Sequence, residues 1–294
     1  MAAPDAGPPV NNLAGALWML AAVTTFTVMQ IMLKELMQHQ GMPVTVVIFL
    51  RMAFGILAAL PWLVRQGPRA LATPRLGLHF LRSFFGIASL TCFAFGLANL
   101  LFADAVALTF STPLWSILIA ALVLGEPIRF RRWAATAIGF AGVLLIVRPT
   151  GEVNPWMLVA LLGALGGCGV FVTLKKLAGE SSMLGSFYSH AFAVLMIAPF
   201  ALWYWQTPDP FQWLLLALTG VMSYLGQSFF ARAFAHGEVG IVAPLEFARM
   251  PMAVLFGLLL FAELPGPLTI LGIAIVAGAS VYIVRREGKL RKGT

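Results

Sequence analysis

Long apolar runs separated by short polar segments dominate the pattern of this 294-residue chain. A helix needs about 20 mostly apolar residues to cross the hydrocarbon core of a bilayer. Most of the runs are apolar all round, so their length is a better guide to the spans than their periodicity. Breaks at proline, glycine and charged residues predict ten spans: 12–34, 43–64, 77–98, 102–124, 131–148, 154–174, 184–205, 210–231, 239–262 and 266–284.

The composition agrees with a chain whose main solvent is lipid. Hydrophobic residues make up 60% of the chain and charged residues 10%, and the mean hydropathy is +0.91, whereas soluble domains carry about 25% charged residues. Because the spans use most of the chain, we expect its function to lie among the helices. Residues 1–11 contain no Lys or Arg with which a signal peptide could begin, so we expect a flexible N-terminal tail.

The net charge of +8 raises the question of a nucleic-acid partner, but the positions of the basic residues argue against one. Lys and Arg cluster after the even-numbered spans, as in the cytoplasmic loops of membrane proteins. We therefore expect both termini in the cytoplasm, and a bacterial inner membrane. The clusters are Arg65, Arg69 and Arg75, then Arg129, Arg131 and Arg132, then Lys175 and Lys176, and last the tail from Arg285 to Lys292.

An internal repeat organises the chain. Residues 124–148 align without gaps with residues 261–285, which places Glu126 on Glu263, 137 positions later, and both segments end in Ile-Val-Arg. An offset near half the chain gives five spans per repeat. Because five is odd, the second repeat must enter the membrane upside down.

The predicted fold is therefore an all-α membrane protein of about ten transmembrane helices in two inverted five-helix repeats. We place the first repeat at 12–149, the second at 150–286 and a basic cytoplasmic tail at 287–294. Many secondary transporters have this architecture, and their substrate sites lie near the membrane midplane where the repeats meet.

Several motifs resemble a known family. They are Gly-Glu-Pro at Gly125–Pro127, the run Ala107–Trp115 that ends in Pro-Leu-Trp, and Gly139–Pro149, with second copies at Ala243–Pro251, Phe261–Pro265 and Gly278–Arg286. Together they resemble the EamA module of the drug/metabolite transporter superfamily over about residues 12–286. This resemblance implies ten spans with cytoplasmic termini. It leaves the substrate open, because members export amino acids, take up S-adenosylmethionine or riboflavin, or carry nucleotide sugars.

Charged side chains at membrane depth are costly and therefore functional candidates. Glu246 is the acid inside a predicted span, and Arg51 and Arg249 are deep bases. His190 matches Arg51 under the repeat. We predict that all four contact substrate. Two structural alternatives stay open: a salt bridge between Arg51 and Glu246, and an ion pair between Glu246 and Arg249 on one helix face.

Neutral side chains complete the predicted site. Tyr224 and Gln227 share a face of the eighth span and are candidates for hydrogen bonds to substrate. Pro113 in the fourth span and Pro244 and Pro251 in the ninth are predicted to kink these helices, because proline removes a backbone hydrogen bond. Kinks in equivalent spans favour a central cavity.

Charges near the span ends have simpler explanations. Arg82 and Arg232 lie near cytoplasmic ends, where a long basic side chain can reach the interface. Asp104, Asp209 and Glu263 lie where a helix begins or a turn occurs, so we expect capping or turn roles for them.

The balance of the deep charges suggests a substrate class. Arg51 and Arg249 against Glu246 leave one positive charge unmatched, which favours a carboxylate or phosphate on the substrate and an amine facing Glu246. We predict a secondary-active transporter of a small, polar, anionic or zwitterionic metabolite that works by alternating access. The alternative substrate is a cationic or neutral molecule such as S-adenosylmethionine, a quaternary amine or riboflavin.

Other functional classes have weaker sequence support. There is no His-Glu-x-x-His or Gly-x-Ser-x-Gly motif for an intramembrane enzyme, and a channel usually needs a ring of charges or carbonyls. Cys92 and Cys168 lie inside apolar runs, so we expect no metal, and the absence of a phosphate-binding glycine loop argues against direct use of ATP. We expect no cofactor. Proton coupling and a homodimer are left open.

Overall fold

The computed structural model describes residues 11–122, 130–147, 154–177 and 180–291, and the regular secondary structure of these residues is entirely helical. Residues 1–10 of the predicted tail, and Glu126 with its motif, lie outside the described residues. The helices are α1 Asn12–Lys34, α2 Val44–Gln66, α3 Leu76–Asn99, α4 Phe102–Thr109, α5 Thr112–Leu122, α6 Phe130–Val147, α7 Pro155–Lys176, α8 Ser182–Trp203, α9 Pro210–His236, α10 Val239–Val242, α11 Arg249–Phe261 and α12 Pro267–Arg291, with a π-helical turn at Glu35–His39 and a 3₁₀ segment at Ala243–Ala248.

These helices confirm the prediction of about ten spans. Eight helices are long and apolar enough to cross a membrane, and the shorter apolar helices Trp133–Val147 and Pro267–Tyr282 correspond to the fifth and tenth predicted spans. Most helix ends lie within a few residues of the predicted ones. The largest difference is at the C-terminus, where residues 287–291 of the predicted tail continue α12.

The helix packing repeats itself when the spans of one half are exchanged for those of the other. In this exchange, α1, α2 and α3 of the first half are equivalent to α7, α8 and α9 of the second. The α1–α9 contact is therefore equivalent to the α3–α7 contact, and the α2–α9 contact to the α3–α8 contact. The pairs α2–α8, α6–α12 and α4–α11 each join equivalent spans. This packing fits the two inverted repeats that the sequence predicted.

Two glycines allow a close backbone approach between α6 and α12. A Cβ atom on Gly272 of α12 would lie 2.6 Å from the backbone oxygen of Gly142 on α6, and a Cβ on Gly142 would lie 2.9 Å from the oxygen of Gly272. Small residues let helices approach closely in lipid, where association depends on packing. The α6–α12 pair therefore depends on the absence of side chains at this crossing.

The fourth and ninth spans are broken rather than kinked. In the fourth, α4 ends at Thr109 and α5 starts at Thr112, whose hydroxyl donates a hydrogen bond of 2.7 Å to the Thr109 carbonyl. In the ninth, the 3₁₀ segment separates α10 from α11. Non-helical backbone at membrane depth is tolerated where protein or a cavity satisfies its polar groups.

This changes the role predicted for the prolines. Pro113 is the second residue of α5 and Pro251 the third of α11, while Pro244 lies at the start of the 3₁₀ segment. A proline in a first helical turn removes no intrahelical hydrogen bond, so these residues begin helices. Prolines in helix interiors occur instead at Pro61 in α2 and Pro199 in α8, which are equivalent under the repeat.

The capping predictions at two span ends are correct. Asp209 caps α9: its Oδ1 accepts a 2.7 Å hydrogen bond from the Gln212 N–H, and the Gln212 side chain accepts one of 3.0 Å in return. Glu263 acts between the repeats, because its Oε2 accepts a 2.6 Å bond from the N–H of Phe102 at the start of α4.

Candidate functional site

A cavity of about 610 Å³ lies at the seam between the two repeats. The first repeat supplies its walls from α1 and α3, and the second from α7, α8, α9 and the broken ninth span. Most of the lining comes from the start of α3 and α8 and the last turns of α7 and α9. In the predicted topology, all of these helix ends lie on the cytoplasmic side.

Four of the predicted site residues line this cavity together: Tyr224, Gln227, Glu246 and Arg249. The ion pair between Glu246 and Arg249 is formed, with 3.6 Å between Oε1 and Nη2. The Glu246 side chain remains 34% exposed and that of Arg249 only 14%. Glu246 therefore presents a carboxylate that a ligand can reach, while Arg249 lies behind it.

Arg249 is held by aromatic rings of the first repeat. Its guanidinium carbon lies 5.0 Å from the ring centre of Phe26 and 5.7 Å from that of Phe110. A cation above aromatic faces at this range is stabilised electrostatically. Because Phe110 sits in the break of the fourth span, Arg249 links the broken segments of both repeats.

The two neutral residues on α9 face the start of α8. The Gln227 Oε1 accepts a 3.1 Å hydrogen bond from the Ser186 hydroxyl, and the Tyr224 hydroxyl lies 3.7 Å from the Met183 sulfur. A thioether is a weak acceptor, so the Tyr224 hydroxyl keeps most of its hydrogen-bonding capacity for another partner.

Arg51 and His190 are not among the residues that line the cavity. Both are buried where α2 packs on α8 and α9: Arg51 donates a 3.3 Å bond to the Ser223 hydroxyl, and the His190 ring lies so close to Gly55 that a Cβ there would collide with it. The alternative salt bridge between Arg51 and Glu246 is not formed. The role of Arg51 and His190 as substrate ligands stays a prediction without support from the lining.

Sequence reasoning missed a contact between a histidine and a carboxylate in the cavity lining. The Nε2 of His79 on α3 lies 2.6 Å from Oε2 of Glu180, and the other Glu180 oxygen accepts a 2.9 Å bond from the Thr73 hydroxyl. These contacts, led by the His79 hydrogen bond, hold the pKa of Glu180 below its ordinary value. Glu180 was hard to identify from the sequence as a cavity residue, because it lies in a short loop, where an acidic side chain is expected to be exposed to solvent.

Arg82 also lines the cavity, which departs from the predicted reach to the interface. Its Nη1 donates to the Gly185 carbonyl at 2.6 Å and to the Ser189 hydroxyl at 2.7 Å, both on α8. Arg232 instead is exposed, and its guanidinium carbon lies 4.9 Å from the Trp18 ring; its reach to the interface stays a prediction. The neighbouring helix decides the difference, because α8 offers Arg82 two acceptors.

The cavity charges therefore differ from the predicted set. Arg82 and Arg249 face Glu180 and Glu246, with His79 as a further titratable group, so the arginines and acids balance. The predicted excess of positive charge depended on Arg51, which lies elsewhere. Among the described residues, no group of three or more His, Cys, Asp or Glu side chains could hold a metal ion.

Comparisons with known proteins agree with this architecture. The model of the EamA-like transporter family matches residues 13–148 and again residues 154–285. A solved crystal structure shares the fold with a TM-score of 0.62 and 17% identity, covering 94% of this chain and 99% of the other.

Three similar proteins are named as transporters. The S-adenosylmethionine uptake transporter of Rickettsia prowazekii (strain Madrid E) is 29% identical, and the match covers 94% of each chain. The riboflavin transporter of Vibrio cholerae is 32% identical over 95% of each chain. The pseudopaline exporter of Pseudomonas aeruginosa is 30% identical, over 93% of this chain and 97% of that protein.

Proposed function

Since the chain belongs to the EamA-like transporter family, we propose that it carries a zwitterionic metabolite across the bacterial inner membrane by alternating access. The observation that carries this proposal is the seam cavity, in which Arg82 comes from the first repeat and the accessible Glu246 from the second. A guanidinium recognises a carboxylate, and a carboxylate recognises an ammonium group. A zwitterionic amino-acid group therefore offers a partner to each wall.

The size and lining of the cavity add a second requirement. About 610 Å³ lies within the range of about 300–1,000 Å³ for small-molecule sites, and Phe26, Tyr224 and Phe230 supply aromatic walls. S-adenosylmethionine has a zwitterionic amino-acid group and an adenine ring, so it meets both requirements, and its sulfonium group makes the whole molecule a cation. Two of the relatives, which are 29% and 28% identical to this chain, are named as S-adenosylmethionine uptake transporters.

Riboflavin is the second candidate. The aromatic walls favour it, because they could stack on its ring system, and a relative named as a riboflavin transporter is 32% identical. Riboflavin carries neither a carboxylate nor an ammonium group, however, and would bring no charged partner to Arg82 or Glu246.

The positions of the cavity and of the closed end support alternating access. The cavity opens among helix ends that the predicted topology assigns to the cytoplasm. At the other end, the buried Lys34 side chain contacts Glu263 and joins the two repeats. A transporter with its cavity at the cytoplasmic end and this contact at the opposite end is in an inward-facing state. Inverted repeats expose the site to the opposite side of the membrane when they rock against each other.

Uptake into proteoliposomes tests the proposal. We expect saturable uptake of labelled S-adenosylmethionine, faster when the vesicles are preloaded with unlabelled substrate, because a carrier shows trans-stimulation. Uptake of riboflavin alone would favour the second candidate. Uptake of charged solutes without saturation or trans-stimulation would instead indicate a channel and contradict the proposal.

A further inference from the structure

We infer that Arg82 binds the carboxylate of the transported substrate and sets the preference for acids over otherwise identical molecules. The inference rests on the proposed function, but it concerns a residue whose position in the sequence indicated only an interfacial contact. Its basis is the arrangement of hydrogen bonds around one guanidinium group.

No described residue neutralises the charge of Arg82. None of the ion pairs between described residues includes it, and its two hydrogen bonds go to the neutral Gly185 carbonyl and Ser189 hydroxyl. Charged groups at membrane depth normally pair with one another or face a substrate pathway. Arg82 lines the cavity, so the second explanation applies.

The acids of the cavity have other partners. The two oxygens of Glu180 are used by His79 and Thr73. Glu246 lies on the ninth span beside Arg249. Among the described residues, therefore, no carboxylate is in place to neutralise Arg82, and an anionic ligand would complete the site.

The geometry of the guanidinium suits a carboxylate. Both bonds to α8 use Nη1, whereas Nη2 donates to no described residue and Nε is buried without a hydrogen-bond partner. Nη2 is therefore the donor that a carboxylate in the cavity can reach through a charge-assisted hydrogen bond, because the neighbouring Nε is buried. The protein thus fixes Nη1 and leaves Nη2 without a partner among the described residues.

The contact with α8 fixes the orientation of the Arg82 guanidinium group. A Cβ on Gly185 would lie 3.1 Å from Nη1 of Arg82, which is tighter than ordinary contact, so glycine at this position gives the guanidinium room to approach the Gly185 carbonyl. Ser189 adds a second acceptor one turn later on the same helix. A guanidinium held in this way loses little freedom when a ligand binds.

The structural alternative is that Arg82 only ties α3 to α8. The two explanations differ in what they predict for a substrate without its carboxylate. If Arg82 recognises the carboxylate, its replacement affects the acid and spares the decarboxylated molecule. If Arg82 only joins two helices, its replacement affects both molecules equally.

The experiment measures inhibition of labelled S-adenosylmethionine uptake by the unlabelled compound and by its decarboxylated analogue. Wild-type protein should bind the acid about 10- to 100-fold more tightly, the range of one charge-assisted hydrogen-bonded contact. Arg82→Gln should weaken binding of the acid by a similar factor, leave binding of the analogue unchanged, and so remove the preference. Arg82→Lys should recover part of it.

Arg232→Gln is the matched control, because Arg232 is also a basic residue near the cytoplasmic end of its span but is exposed beside Trp18. It should keep the wild-type preference. If Arg82→Gln weakened the binding of both compounds equally, or changed the binding of neither, the inference would be overturned while the transport function stayed intact.

The wild-type protein provides a test that does not depend on the folding of any variant. Equal inhibition by the acid and its decarboxylated analogue would exclude carboxylate recognition. Uptake of riboflavin with none of S-adenosylmethionine would overturn the proposed substrate class, and the inference with it.

Discussion

Lys34 Nζ lies 2.7 Å from Oε1 of Glu263, and the lysine side chain is completely buried while the glutamate side chain is 12% exposed. The lysine also donates a 2.7 Å bond to the Leu100 carbonyl, and Glu263 accepts one from the Phe102 N–H. The pair joins the end of α1, the start of α4 and the loop before α12, at the end of the molecule opposite the cavity.

Removal of one partner of this pair should strongly destabilise the protein. Glu263→Ala leaves the ammonium of Lys34 buried without its counter-charge, which costs about 3–5 kcal/mol in comparable buried pairs. We expect a marked fall in the melting temperature in detergent, partly reversed in the double variant Lys34→Met/Glu263→Gln. Arg65→Gln, an exposed change in the last turn of α2, is the control. A melting temperature of Glu263→Ala equal to wild type would contradict the buried pair.

The crossing of α6 and α12 gives a second prediction. Gly272→Ala places a Cβ 2.6 Å from the Gly142 oxygen and must push the helices apart, and overpacking of this kind costs about 1–3 kcal/mol. Gly278→Ala on the same helix is the matched control, because a Cβ there meets nothing within 4 Å. Thermal denaturation should show a loss for Gly272→Ala and no loss for Gly278→Ala. Similar melting temperatures for the two variants would be inconsistent with the crossing.

The His79–Glu180 pair gives a prediction about pH. The fold lowers the pKa of Glu180, so the ionised form is favoured in the folded state. Its stabilisation is present above the ordinary carboxyl pKa of about 4.3 and is lost as the pH falls through the lower folded value. Wild type should melt above Glu180→Gln at pH 7, and the difference should disappear on acidification. A difference that persists at low pH would exclude ionisation of Glu180 as its cause.

Thr73→Val separates the two contacts of that carboxylate. The bond from Thr73 is the weaker cause of the lowered pKa, since the hydrogen bond with His79 contributes most. The Thr73→Val protein should therefore keep most of the pH dependence of the wild type, whereas His79→Gln should lose most of it.

The sequence predicted the spans well because their length follows directly from the thickness of the bilayer. It also identified the repeat, because matched polar residues at a constant offset are seldom accidental. Depth in the membrane follows from position along a span, which is why Glu246 and Arg249 could be recognised as deep charges.

The direction in which each helix faces could not be predicted. A helix that is apolar all round carries no periodic signal for its inner face, so Arg51 and Glu246 looked equally suited to the cavity. The structure buries Arg51 against α9 and leaves Glu246 in the lining. Arg82 and Arg232 had the same apparent position, and only the acceptors on α8 distinguish them.

Glu246 provides the last prediction, on the amine end of the substrate. Because its side chain is reached from the cavity and its ion pair with Arg249 is as long as 3.6 Å, Glu246→Gln should weaken binding of S-adenosylmethionine about tenfold. Binding of an analogue without the α-amino group should not change, and the preference for the carboxylate should persist because Arg82 is intact. Inhibition of labelled S-adenosylmethionine uptake by each unlabelled compound measures both affinities and the preference for the carboxylate. Glu35→Gln, at the far end of α1, is the control; an equal loss for both compounds would remove Glu246 from amine recognition.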